Sequence, residues 1–336
     1  MRCSYMDMSR GISVRSFAIA AFFGGLLAMQ GAPLAVAQEP YPSHPITMTH
    51  GFAAGGNADV ISRIVSEGLS QRVGQPVIVE PRPGAGGNTA AARMAKATPD
   101  GYTLILLTGA HSVSPAMYKT LPYDALADFQ MLTVVGYQAF IVAVRQDSPY
   151  KTLDELIAFA KANPGKLTYS SVGVGSTQHL AGELLCAMAG IKMTHIPYRG
   201  GGGPMTDLLG GAIDINVDTI TVIEPQMRAG TVRGLAVTSG KKWWSMPDMP
   251  TVSKSVPGYD VQTYIGIATA ANTPEPIVQK LSTELRAVLD TSSYKDRLGQ
   301  IGLDVRPSTP DEMKTLVAGE MAKWKKVVAE AKIPQF

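Results

Sequence analysis

Cysteine is almost missing from this chain: Cys3 and Cys186 are the only two among 336 residues. Cys3 belongs to the N-terminal segment, and Cys186 stands alone in an apolar helical pattern from Leu184 to Met188, so no disulfide framework supports the fold. Cys186 reads as a buried small hydrophobe, not a reactive thiol. Long apolar runs are also lacking, since none reaches the roughly 20 residues of a comfortable membrane span. Charge of one sign is scarce: the formal net charge is +3, with no basic stripe and no run of like charges, which argues against nucleic-acid binding and polybasic membrane attachment. The histidines His44, His50, His111, His179 and His195 form no cluster with metal-ligand spacing. Neither a Gly-x-Ser-x-Gly elbow nor a Gly-Lys-Ser/Thr phosphate loop occurs, and the first glycine-rich segment misses the dinucleotide spacing. The chain therefore carries no signature for a metal, a cofactor or a serine nucleophile.

What is present begins with an export segment. Arg2, Arg10 and Arg15 precede an apolar, glycine- and alanine-rich run from Phe17 to Met29, and Ala35-Val36-Ala37 fits the small-x-small cleavage rule. Residues 1–37 read as a cleavable signal peptide, with Gln38 as the first mature residue; an uncleaved anchor is the alternative. Removing the segment takes three arginines and Asp7 with it, so the charge falls from +3 to +1. About 300 residues remain, enough for two domains of ordinary size.

From Pro45 onward, short apolar runs alternate with helical periodicity. Strands are predicted at Ile46–His50, Val77–Val79, Thr103–Leu107, Met131–Val135, Phe140–Val144, Leu167–Ser170, Lys192–His195, Ile215–Val217, Val232–Val237 and Val261–Ala268. That order argues for α/β layers with largely parallel sheets. Thr152 with Glu155, and Thr309 with Glu312, are capping boxes, and Thr273-Pro274 opens a further helix. The glycine run Gly200 to Gly203 and the segment Pro81 to Gly87 read as turns.

Two strand-to-helix corners stand out. The first runs from Gly51 to Asp59 and the second from Ser170 to Thr177. Each combines glycine with small or hydroxylated residues at the start of a helix, where first-turn amides lack partners and the helix dipole is positive. Facing one another, such corners would grip a carboxylate from two sides; tight turns alone would also use these glycines. Ser176 and His179, three residues apart, read as an N-cap and a partly exposed imidazole rather than a catalytic pair. His111-Ser112, Tyr198-Arg199 and Asp218-Thr219 follow predicted strands, at the carboxyl edge where open α/β sheets hold ligands. His111 either hydrogen-bonds a ligand or sits on an ordinary loop, and Arg199 either meets a distal carboxylate or is solvated. Asp59 is expected to serve its own helix start unless the ligand carries a donor.

These segments, taken in order, resemble the solute receptors of tripartite tricarboxylate transporters, the Bug receptors. The pattern includes Tyr41-Pro42, Phe52 to Gly56 with Asp59, Gly74 to Pro76, Arg82 to Gly87, Pro99 to Thr103 and Leu121 to Asp124. It continues through Asn163 to Lys166, Gly175-Ser176, His179 to Glu183, His195 to Gly200, Gly210-Gly211 and Pro250 to Val252. Departures fall at Pro81, at Ser253 to Ser255 and at Tyr264.

The resemblance implies a two-domain periplasmic binding protein of type II-like, Venus-flytrap form. Domain 1 would be residues 41–145 plus 256–336, and domain 2 residues 146–255, joined by two crossovers. It implies a non-enzymatic monomer that captures a small di- or tricarboxylate, or an aromatic carboxylate such as terephthalate. The ligand would pass to the membrane permease of a tripartite tricarboxylate transporter. One ligand carboxylate would be held by Ala54, Gly55, Gly56, Asn57 and Ala58 on one side and by Gly175, Ser176 and Thr177 on the other. Phe52 would wall the cleft, with His111, Ser112, Arg199, Asp218 and Thr219 at the variable end. The alternatives are a sensor that presents the ligand to a membrane histidine kinase, or a secreted organic-acid enzyme.

Overall fold

A computed structural model describes residues 41–336; the expected signal peptide and Cys3 lie outside the described residues. The chain begins with β1 (Ile46–His50), α1 (Asn57–Val73), β2 (Val77–Pro81), α2 (Asn88–Met94), β3 (Thr103–Thr108), α3 (Ala110–Met117) and β4 (Phe129–Arg145). Next come α4 (Leu153–Ala162), β5 (Thr168–Ser171), α5 (Thr177–Ala189), β6 (Thr194–Pro197), α6 (Gly203–Gly210), β7 (Ile215–Thr219), α7 (Ile220–Arg228) and β8 (Val232–Val237). The chain closes with α8 (Val252–Ser255), β9 (Gln262–Ala270), α9 (Glu275–Asp290), α10 (Ser292–Gln300), β10 (Asp304–Val305) and α11 (Pro310–Glu330).

The strands lie in the order β2-β1-β3-β9-β4-β7-β5-β6, with β8 and β10 also paired to β4. The expectation of largely parallel sheets needs correction. β1 is parallel to β2 and β3, and β5 to β6 and β7, but every contact of β4 and β9 is antiparallel. The two strands predicted around Gly136 are also one element, the 17-residue β4. Gly136 does not break it, because a Cβ there would lie 2.4 Å from the Asp304 carbonyl: the glycine lets β10 approach within the ladder.

β4 holds the molecule together. Its residues up to Ala139 pair with β9, and from Phe140 onward they pair with β7 and β8. On one side of that change α1 and α9 cover the sheet, burying Ile61, Ile64, Val65 and Leu69 against Leu281, Leu285 and Val288. The spacing of the α1 residues is that of one helical face, and Gly74 in the left-handed region ends the helix. On the other side Leu156, Leu180, Leu184, Leu185 and Tyr169 form a second core, which α11 joins through Trp324. Thr309 and Glu312 form a full capping box, whereas at α4 only half of the expected box forms: Thr152 Oγ1 accepts from the Glu155 amide at 3.2 Å, while Glu155 Oε2 accepts from the Lys151 amide at 2.6 Å. The helix expected to open at Pro274 starts one residue later, with Pro274 as its N-cap.

Candidate functional site

The first corner places α1 directly after β1. Gly56 is the N-cap in extended conformation, so Asn57 and Ala58 form the first turn with no intrahelical acceptor for their amides. The same geometry recurs twice. Ser176 caps α5, its Oγ accepting from the His179 amide at 3.2 Å, so Thr177 and Gln178 open that helix. Thr219 caps α7, which opens at Ile220. Gly56, Asn57 and Ala58 from α1, Gln178 from α5, and Thr219 and Val222 from α7 all line one cavity. The positive starts of α1 and α7 therefore border it, and α5 contributes Gln178.

The rest of the wall is apolar or neutral. Phe52, Phe140, Val172 and Ile265 supply hydrocarbon, and Thr108, Thr263, Gly200 and Gly201 complete the lining. Among the described residues, no lysine, arginine or histidine takes part. The space open to the centres of water-sized atoms is about 30 Å³, so this cavity is small. Its closure is visible in direct contacts. The Ala53 amide donates to the Arg199 carbonyl at 2.9 Å, and Thr221 Oγ1 bonds to Asn57 Oδ1 at 2.8 Å.

One ionisable group lines the cavity. Asp218 is 3% exposed, and its Oδ1 accepts from the Thr219 amide at 2.7 Å, while Oδ2 makes no hydrogen bond with the described residues. Burial pushes its carboxyl up to about 6, against the pull of the Thr219 and Gln178 hydrogen bonds.

The family model described as "Tripartite tricarboxylate transporter family receptor" matches residues 61–333. The chain belongs to the tripartite tricarboxylate transporter receptor family. Three solved structures agree with this. Rpa4515 of R. palustris, solved with adipate, is 32% identical, with a TM-score of 0.85 over 88% of this chain and 100% of that one. The periplasmic binding protein BugD is 31% identical, also with a TM-score of 0.85 over 88% and 100%. MatC of Rhodopseudomonas palustris, solved with bound malate, is 30% identical, with a TM-score of 0.82 over 86% and 100%. The fold is that of the two-domain periplasmic binding proteins, and relatives in this Bug family are solute-binding receptors.

In this receptor-family chain, Phe52, Gly56, Asn57, Ala58, Asp218 and Thr219 are the sequence-predicted residues that line the cavity. The others lie elsewhere. Ala54 and Gly55 are exposed, and the Gly55 amide is already engaged, donating to Asp59 Oδ2 at 3.0 Å. Asp59 also bonds His50 Nε2 at 3.2 Å and Arg63 Nε at 3.0 Å. Burial opposes its charge, but the bonds from Arg63, Gly55 and His50 prevail and hold its carboxyl below the usual range. Asp59 thus locks its own helix start.

The second corner faces a different way from the expectation. The Gly175 and Ser176 amides donate to His179 Nδ1 and the Gly173 carbonyl, and Gly175 lies against the Tyr118 ring. Thr177 is buried beside Gly109, outside the cavity lining. The position adjacent to it, Gln178, is the one that reaches the cavity. His111 is buried under Tyr123 and Phe129, with Nε2 bonded to the Ala125 carbonyl at 2.8 Å, and burial lowers its pKa to about 4. Ser112 is fully buried against the Tyr264 hydroxyl at 2.8 Å. Arg199 is exposed and contributes its carbonyl, not its guanidinium.

Ser171 Oγ lies 2.7 Å from His195 Nε2, with Ser171 buried at 1% exposure. His179 stacks on His195 at 4.0 Å. No group of three or more His, Cys, Asp or Glu residues has metal-binding geometry among the described residues. Cys186 is half-buried, and burial drives its thiol up to about 12, leaving it unreactive.

Proposed function

We propose that this chain is a non-enzymatic periplasmic receptor that captures a small aliphatic dicarboxylate and delivers it to the permease of a tripartite tricarboxylate transporter. One observation carries the reading: the starts of α1 and α7 border one cavity in which no cationic side chain takes part among the described residues. Such a wall favours an anion through amides and dipoles, which need no fixed cationic partner. Its hydrocarbon members, Phe52, Phe140, Val172 and Ile265, suit the methylenes between two carboxylates. Support comes also from Rpa4515 and MatC, solved with adipate and malate. Export to the periplasm accords with the arginine-led apolar segment at the N-terminus.

Two lobes, residues 41–145 with 256–336 and residues 146–255, would open and shut on the ligand by a hinge in β4 and the return to β9. Ligand would shift the population towards the closed form by its differential affinity.

A thermal-shift screen of the purified chain tests this reading. Succinate, malate, adipate, terephthalate, glutamate, sugars and metal ions would each be added in large excess. A ligand at about 100 times its Kd stabilises by about 2.7 kcal/mol, so the aliphatic dicarboxylates should raise Tm by several degrees. Stabilisation by sugars or cations alone ends the proposal. Loss of dicarboxylate uptake on deleting the gene would tie binding to transport.

A further inference from the structure

The cavity proposed to hold an anion contains an acid and no base. Asp218, 3% exposed at the end of β7, lines this cavity, and its Oδ2 has no hydrogen-bond partner among the described residues. An ionised Asp218 and an ionised ligand carboxylate in that volume would be like charges a few ångströms apart, away from water, and one of them must then carry a proton. No other group can relieve the conflict. β4 presents Phe140 and pairs Ile141 with Asp218, α5 presents Gln178, α7 presents Val222, and the start of α1 presents Gly56, Asn57 and Ala58. The ionisable side chains on these elements and on β5 are engaged elsewhere. His179 stacks on His195, Asp59 is bound to His50 and Arg63, and Tyr169 donates to Glu183 Oε1 at 2.6 Å.

We propose that Asp218 meets the ligand as a neutral acid, donating its proton in a hydrogen bond to the ligand's second carboxylate, so that each dicarboxylate is captured together with one proton. This rests on the proposed function and narrows it. The starts of α1 and α7 hold one carboxylate, and Asp218 selects a second acceptor-only group in preference to an ammonium. Asp218 needs little persuasion to be neutral, because burial already raises its carboxyl to about 6 before any anion arrives. An anion beside it raises that value further, so binding at neutral pH takes up a proton from solution. The residue is a specificity determinant: it would reward a dicarboxylate, while an acidic amino acid that placed its ammonium there would require the ionised form.

Calorimetric titration of the whole chain with malate and with adipate, between pH 6.5 and 8.5, tests this. Both ligands are fully ionised across that range, so their own protonation does not enter. The expected result is Kd rising by about tenfold per pH unit while the free acid is ionised and the bound acid is not. Repeating the titration at pH 7.5 in buffers of different ionisation enthalpy should show about one proton taken up per ligand. Asp218→Asn keeps a donor amide and removes the titration, so its Kd should be flat across the range and at pH 8.5 tighter than that of the unaltered chain. The proton count needs no variant, so it holds the inference to account even if Asp218→Asn folds poorly. Dicarboxylate binding with no pH dependence and no proton uptake overturns the inference while leaving the receptor reading intact. The same is true of glutamate binding that tightens with rising pH. Binding of no carboxylate at any pH removes the receptor reading itself, and the inference with it.

Discussion

Thr221 at the start of α7 and Asn57 at the start of α1 are joined by a 2.8 Å hydrogen bond across the mouth of the cavity. Gln138 Nε2, from β4, donates to the same hydroxyl at 2.7 Å, and the Ile301 carbonyl lies 2.8 Å from it. One threonine thus ties two helix starts, the central strand and the loop after α10 into a single latch. The latch adjoins Asn57 and Val222 of the cavity wall. Trp243 adds a second tie, donating from Nε1 to the Gly302 carbonyl at 3.2 Å.

Thr221→Val keeps the shape and removes the latch. A net hydrogen bond is worth about 0.5–1.5 kcal/mol, so dicarboxylate affinity should fall about three- to tenfold by calorimetry. An unchanged Kd would mean that closure does not depend on this contact.

Gly86 marks a second seam. Its φ is +63°, and a Cβ there would lie 2.6 Å from the Val174 carbonyl oxygen and 2.9 Å from the Ser176 nitrogen. The loop before α2 and the second corner can meet only because this residue has no side chain. Gly86→Ala adds about 1–2 kcal/mol of left-handed backbone strain to a clash with rigid main chain. The seam should open, with affinity lost by tenfold or more and a larger radius of gyration in solution scattering. Binding within twofold of the unaltered chain would remove this seam from the closing mechanism.

Arg199→Ala and Ser176→Ala separate wall from scaffold. Arg199 is exposed and absent from the cavity lining, so its truncation should leave Kd within about twofold, a neutral surface change. Ser176 caps α5, and losing the cap should cost about 1 kcal/mol of stability in urea unfolding. Its effect on Kd should be smaller than that of Thr221→Val. A tenfold loss of binding in Arg199→Ala would restore the guanidinium as a ligand partner.

The sequence made the architecture readable because strand runs, caps and glycine corners are local signals. Val232–Val237 and the Thr309 capping box appear where the pattern puts them. Strand direction was less readable, because the antiparallel pairing of β4 and β9 depends on how the chain returns after its excursion through β8. At the site, the first corner was visible as Gly56 to Ala58, since a glycine-to-helix junction faces the sheet edge by geometry. The second corner misled: glycine marks a tight turn but not the side it faces, and here Gly86 occupies that side. The start of α7 was within reach, because Asp218-Thr219 precedes the helical run from Ile220. Gln178, Val172 and Ile265 could not have been found this way, for their role comes from tertiary packing around a shared space.

Acid should destabilise the ligand-free chain, and the sign follows from its buried histidines. Burial lowers the pKa of His50, His111, His179 and His195, the last three to about 4, about 3 and about 4 from an ordinary 6.5. Between pH 6.5 and 4 the unfolded chain therefore binds protons at these positions that the folded chain refuses, and stability falls as pH falls. Asp218 works in the opposite direction, because its raised carboxyl is protonated in the folded state below about 6 and ionised in the unfolded state. One such acid against four imidazoles leaves the net slope set by the histidines. Each deeply buried imidazole contributes on the order of 1–3 kcal/mol across the window. Tm measured by calorimetry should drop steadily from pH 6.5 to 4.5. His111→Gln, whose amide can still donate to the Ala125 carbonyl, should show a shallower drop. A Tm that is flat or rising on acidification through that window would mean these imidazoles reach solvent, contrary to their burial beneath Tyr123, Phe129 and one another.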